Sequence, residues 1–309
     1  MQTDTIFEGS TEFPDPDARR RFAQLVGLDE VKSRLVKEAR LLLNPQLLDD
    51  WSRKHHGGDI AATRRFKDRS PLFLLAGDVG TGKTELAESF GDAISRAENL
   101  PVTMFRLSLN SRGAGAVGEM TRLLSTAFQE VLQFGKRSLG GGGKMSSAAV
   151  LLIDEADALA QSRESAQMHH EDRAGVNAMI RGISALASAN VPVLVVMCTN
   201  RLDALDPAVR RRAAATFTFS RPDDEQRYAV LSEAMKGLGF NDAQISVLAK
   251  RTGPSGGRAY GFTYSDLTQR LIPAIVLDAF PDRPVMFDRA AELAEGLLPT
   301  PPFLRQPEV

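Results

Sequence analysis

Five stretches of this chain, PLFLLAG, PVTMFRLSL, AVLLIDE, VPVLVVMCT and ATFTFS, are rich in Val, Leu, Ile and Phe and show no polar alternate face. Such runs suit a parallel sheet covered on both sides, with the helical patterns between them serving as crossovers. The expected core is a doubly wound α/β domain over about residues 69–221. Beyond SRPDDEQR the strand signals stop and helical patterns take over, giving a small helical domain over about 222–309 that ends in the proline-rich, extended tail PTPPFLRQPEV. Residues 1–68 read as an N-terminal arm, a helix and a connector. The first 20 or so residues are polar, acidic and proline-bearing and are given no fold; a helix of about 15 residues follows with Asp29 as its cap; HHGGDIAATRRFKDRS loses the periodicity.

With 309 residues, 43% hydrophobic and 25% charged, the chain has the make-up of a soluble globular protein. No apolar run approaches the roughly 18 residues of a membrane span. The N-terminal stretch has no apolar core of a secretory signal, so a cytoplasmic location is expected. A single cysteine, Cys198, rules out an intrachain disulfide and reads as a small core residue. The net charge of −1 gives no basic excess for nucleic acid, and no DNA-binding module is recognisable.

The first apolar run ends in GDVGTGKT, which fits the spacing GxxxxGK[ST] with Gly77, Gly82, Lys83 and Thr84. Glycines let the backbone turn its N–H groups towards phosphate oxygens, and the helix that follows adds its positive end. Gly77, Val79, Gly80, Thr81 and Gly82 would form the cradle, Lys83 would reach the outer phosphates, and the Thr84 hydroxyl could ligate magnesium. The plain alternative is a glycine-rich strand-to-helix turn. The third run ends in Asp154 and Glu155, acids that are costly at a buried strand end unless paired. Magnesium on phosphates is such a partner for Asp154, held through water, and Glu155 could orient or deprotonate an attacking water. Asn200 ends the fourth run; its amide can reach the terminal phosphate if that strand lies between the other two. In DPAVRRRA, Asp206 caps and Pro207 opens one helical turn that ends in Arg210, Arg211 and Arg212, guanidinium forks suited to a phosphate on a neighbouring subunit.

The series LVGLDEVK, GDVGTGKT, VLLIDEAD, CTN and DPAVRRRA, followed by GFTYSDL, resembles the AAA+ ATPases from about residue 24 to 280. The resemblance implies a sheet of order 5-1-4-3-2 with a helical lid, ATP and Mg2+ as cofactors, and a hexameric ring. It also implies Glu155 as base, Asn200 as sensor, Arg211 or Arg212 as a finger acting in trans, and Val26 and Gly27 beside the adenine. EDRAGVNAMIRGISAL and RRRAAATFTF are similar to the pachytene-checkpoint group, remodellers of HORMA-domain proteins, and the short N-terminal region is most like the bacterial members that act in antiphage signalling with a nucleotidyltransferase. The implied function is an ATP-driven remodeller of a HORMA-domain partner; a DNA-associated motor and a nucleotide-gated adaptor share the core. In GAGAVGEM, Ala116 and Val117 stand at the pore-loop position, where the family pattern has an aromatic residue. Ser265 stands where related remodellers carry a lid arginine, with Arg258 or Arg270 as substitutes. The pairs His55–His56 and His169–His170 read as surface residues, since adjacent side chains diverge and no further ligands are spaced to join them.

Overall fold

A computed structural model describes residues 6–108, 118–140, 145–156, 170–254 and 258–303. They fold as two compact units. One holds the chain up to Ala23, Glu30–Ala76 and Thr84–Thr218; the other holds Gln24–Asp29, Gly77–Lys83 and the chain from Phe219 onward.

The larger unit is built on a six-stranded sheet of β1 (Gly9–Phe13), β2 (Leu72–Gly77), β3 (Val102–Ser108), β4 (Ala148–Asp154), β5 (Val193–Thr199) and β6 (Ala215–Phe219), in the order β1-β3-β4-β5-β2-β6. With β1 set aside, the remaining strands follow the order 5-1-4-3-2 that the family resemblance implies. β3, β4, β5 and β2 run parallel. Leu72–Leu75, Ala148–Ile153 and Val193–Met197 are no more than 1% exposed, which is why these runs are apolar on both faces. β6 departs from that expectation: Ala215, Phe217 and Phe219 are buried while Thr216 and Thr218 are exposed, because an edge strand has one face to cover.

Twelve helices are described: α1 (Pro16–Gln24), α2 (Asp29–Leu43), α3 (Gln46–His56), α4 (Ala61–Lys67), α5 (Lys83–Glu98), α6 (Glu119–Arg137), α7 (His170–Ala189), α8 (Pro207–Arg210), α9 (Asp224–Ala234), α10 (Asp242–Arg251), α11 (Ile272–Ala279) and α12 (Phe287–Gly296). Leu124, Phe128 and Val131 of α6 and Val176, Met179, Ile183 and Leu186 of α7 close one face of the sheet. Each such side chain contributes about 1.5–3 kcal/mol through burial.

Two further regions differ from expectation. The first is the N-terminal arm, part of which is folded: Gly9–Phe13 pairs antiparallel with β3, Phe13 is buried, and Asp15 caps α1 by accepting from the Asp17 and Ala18 amides at 3.1 Å. The Asp15 amide is itself tied to Asp92 Oδ1 at 2.8 Å. The polar sequence belongs to an edge strand with four of its five residues exposed, a pattern that composition does not separate from a loose tail. In the second, the connector carries the end of α3 and all of α4, whose seven residues are too few to show a period.

The smaller unit packs α9–α12 around Leu231, Leu248, Phe262, Leu267 and Ile275. α9 and α10 both open with a capping box, Asp223 with Gln226 and Asn241 with Gln244. A π-helical stretch, Asp266–Leu271, leads into α11 just ahead of Pro273, whose missing N–H interrupts the ordinary ladder. No helix among the described residues is long and apolar enough to cross a membrane.

Candidate functional site

β5 lies between β4 and β2, the condition under which Asn200 becomes useful. The register pairs Ala76 with Thr199 and Ile153 with Met197, so the C-terminal ends of three neighbouring strands lie side by side. In open α/β sheets, ligands bind outside this end. Asp154 is the last residue of β4 and Asn200 directly follows β5. The Thr84 hydroxyl, in the first turn of α5, donates to Asp154 Oδ1 at 3.4 Å. A hydroxyl and a carboxylate brought together in this way are hard oxygen donors of the type magnesium takes. Glu155 is exposed and sits at φ 52°, in the left-handed region, with its amide donating to Asp154 Oδ1 at 2.8 Å.

Arg106 is a functional candidate that the sequence reading did not single out. It lies on β3, with Nη2 4.0 Å from Asp154 Oδ2, and it also pairs with Glu88. Glu88 and Glu85 take Arg21 at 3.3 and 3.2 Å, so a chain of alternating charges leads from α1 to Asp154. The available signal was a lone arginine inside the apolar run VTMFRLS.

The arginine turn is built as expected. Asp206 Oδ1 accepts from the Ala208 amide at 2.7 Å, and Pro207 opens α8. Arg212 bends back to donate to the Ala208 carbonyl at 3.1 Å. Arg210 and Arg211 are exposed and make no side-chain hydrogen bond or ion pair to the described residues.

In the smaller unit, Gly77–Lys83 is packed against the chain that follows Phe219. A Cβ on Gly77 would come within 2.1 Å of the Phe219 carbonyl oxygen. Gly80, at φ 72°, would bring a Cβ to 2.7 Å from Thr263 Oγ1. Both positions therefore require glycine. Thr81 is fully buried and Lys83 is 6% exposed; the Thr81 hydroxyl and the Lys83 ammonium each donate to the Asp78 carbonyl at 2.7 Å. Val79 is exposed. Val26 packs on the helical core beside Tyr228 and Tyr264, and the Gly27 carbonyl accepts from Gln226 Nε2 at 2.9 Å. Burial, followed by the charge of Asp223, pushes the Tyr264 hydroxyl up to about 12.

Neither substitute for the lid arginine is idle. Arg258 donates to the carbonyls of Arg251 at 2.7 Å and Ala294 at 2.8 Å, and Arg270 pairs with Asp266 at 2.8 Å. The guanidinium that does meet the loop is that of Arg221, which lies on Asp78. Ala116, Val117 and His169 lie outside the described residues. His55 and His56 end α3 on the surface, His56 against the ring of Trp51.

A strand running into GDVGTGKT, an acid pair at the end of a second strand, a polar residue ending the strand between them and an arginine turn before the last strand define a P-loop ATPase. The family described as ATPase family associated with various cellular activities (AAA) matches residues 73–221, and the chain belongs to this family. It binds and hydrolyses ATP as a member of it. Across 301 residues, 97% of each chain, it is 52% identical to CD-NTase-associated protein 6 of Escherichia coli strain MS 115-1. It superposes on a chain of the solved E. coli MS115-1 HORMA:CdnC:Trip13 complex with a TM-score of 0.89 and 51% identity, covering 96% of this chain and 97% of that one. Rhizobiales Trip13 is similar at a TM-score of 0.76 and 45% identity, over 96% of this chain and all of that one.

Proposed function

We propose that the chain is a ring-forming remodeller that uses ATP hydrolysis to unfold part of a HORMA-domain protein in a bacterial antiphage nucleotidyltransferase system, acting in the cytoplasm. The observation that carries the ATPase half is the Thr84–Asp154 contact at the aligned ends of β2, β4 and β5. What supports the partner is that a relative of 51% identity over nearly its whole length was solved together with HORMA and CdnC.

In this reading the amides of Gly77–Gly82 would hold the phosphates, Lys83 would turn from the Asp78 carbonyl to the outer phosphates, and Thr84, with Asp154 acting through water, would hold magnesium. That ion would supply positive charge to the phosphate oxygens. Glu155, exposed at the strand exit, takes the proton of the attacking water, and Asn200 orients that water or the terminal phosphate. Arg211, with Arg212 beside it, completes the site of the adjoining subunit, its free fork offering two N–H donors to developing phosphate charge. Val26 and Gly27 flank the adenine. Ala116 and Val117 meet the client in the ring's centre with less contact area than an aromatic residue gives. The proposed domains are an N-terminal arm, helix and connector over 1–68, the ATPase domain over 69–221 and a helical lid domain over 222–309.

The deciding experiment uses Glu155→Gln in the full-length chain. ATP binding should persist while phosphate release falls at least about 100-fold, the scale of a lost general base. Trapped with ATP in its host, this variant should capture a HORMA-domain protein. Normal turnover would remove Glu155 from its role, and reproducible capture of an unrelated client would replace the partner.

A further inference from the structure

Asp78, the second residue of the phosphate loop, has a carboxylate that receives four hydrogen bonds. Its own neighbour's amide, Val79, donates at 2.9 Å and the Phe303 amide at 3.1 Å, while Arg221 donates through Nε at 2.8 Å and Nη2 at 2.6 Å. The same guanidinium donates to the carbonyls of Gly261 at 2.7 Å and Thr300 at 2.8 Å and lies 4.8 Å from the Tyr260 ring centre. Thr300 is anchored in turn, its amide on Asp266 Oδ2 at 3.0 Å and its hydroxyl on Oδ1 at 2.6 Å. Asp266 also fastens the Thr263 amide at 3.0 Å, and the following turn closes on the loop through the Ser265 amide, 3.1 Å from the Gly80 carbonyl.

Asp78 thus faces two ways. Its side chain holds the extended segment at Thr300–Phe303, and its carbonyl holds Lys83 and Thr81. The side chains of Arg221 and Asp78 are only 14% and 17% exposed, so this is a shielded, charge-assisted pair with two N–H donors, unlike a solvated surface pair of little worth. Pro301 and Pro302 fix the backbone just before the donating Phe303 amide, which lowers the entropy lost in docking that segment.

We propose that Arg221 and Asp78, with the segment Leu298–Phe303, form a latch that holds the phosphate loop in its binding shape before nucleotide arrives, making both side chains positioning residues for nucleotide affinity. The inference rests on the assignment of Gly77–Thr84 as the phosphate loop. A glycine-rich loop left alone samples many backbone conformations, and ordering it on binding costs affinity. A latch removes that cost from the binding step and leaves the chemical step alone.

The test measures the affinity of the full-length protein for a fluorescent, non-hydrolysable ATP analogue, together with kcat and KM for ATP. Arg221→Gln, Asp78→Asn and Phe303→Pro, the last removing one N–H, should each weaken the analogue about tenfold, the scale of one charge-assisted hydrogen bond. For Arg221→Gln and Phe303→Pro, kcat at saturating ATP should stay within about twofold, since the loss falls on binding. Phe303→Ala keeps the amide and should bind as the parent does. Melting curves identify any variant that fails to fold, and Phe303→Pro, at the far end of the chain, keeps the test decisive. Analogue affinity unchanged in both Arg221→Gln and Phe303→Pro overturns the latch, as does a fall in kcat with affinity intact. Lys83→Ala separates the two claims: if it binds the analogue as tightly as the parent, the loop assignment itself fails.

Discussion

Glu155 is held at φ 52°, where a side chain other than glycine meets the neighbouring backbone. A residue held there costs about 1 kcal/mol, and such costs persist where function needs them. Glu155→Gly should therefore raise resistance to urea unfolding by about 1 kcal/mol while reducing phosphate release to background. A stability gain without loss of turnover would show that the carboxylate is dispensable. Arg106, opposite Leu152 in the β3–β4 register, had to be found in the structure, because only that pairing sets its guanidinium near Asp154. The loop, the acid pair and the arginine turn could be picked out by local spacing, whereas the reading of Asn200 depends on β5 lying between β4 and β2. Arg106 meets Asp154, and Arg221 meets Asp78 143 residues away, only through the fold, and each leaves a stray basic residue as its trace.

At the scale of elements, α8 is a single turn whose direction depends on the Asp206 cap before it, because four residues cannot sustain a helix alone. Asp206→Ala should remove the bond to the Ala208 amide at a cost of about 1 kcal/mol. By unsettling Arg211, it should also lower ATPase activity well beyond that change in stability. Wild-type activity at full occupancy would show that the turn need not be fixed. α2, by its helical period, and β2–β5, by their apolar runs, were readable in advance. β1 and α4 were not: one is a polar edge strand whose pairing is long-range, the other is too short to have a face.

At the scale of the molecule, α11 and the segment after it leave Leu277 70% exposed and Phe280 73% exposed, with Val276 and Met286 also open. Side chains so uncovered add little to the monomer's stability and suit burial against another copy of the chain. Replacing Leu277 and Phe280 together by Asp should weaken assembly at least about tenfold, since apolar burial of two large side chains exceeds that scale. Sedimentation would show lighter species, and specific ATPase activity would drop most at low protein concentration. Unchanged sedimentation would place the assembly face elsewhere. The pairing of Gly9–Phe13 with β3 bears on how such measurements are read. A short strand carrying Glu12 shields the longer, more apolar VTMFRLS from strangers. A version trimmed past Phe13 would bare that border, and its molecules could zip together strand to strand, making clumps that a sizing column would mistake for rings.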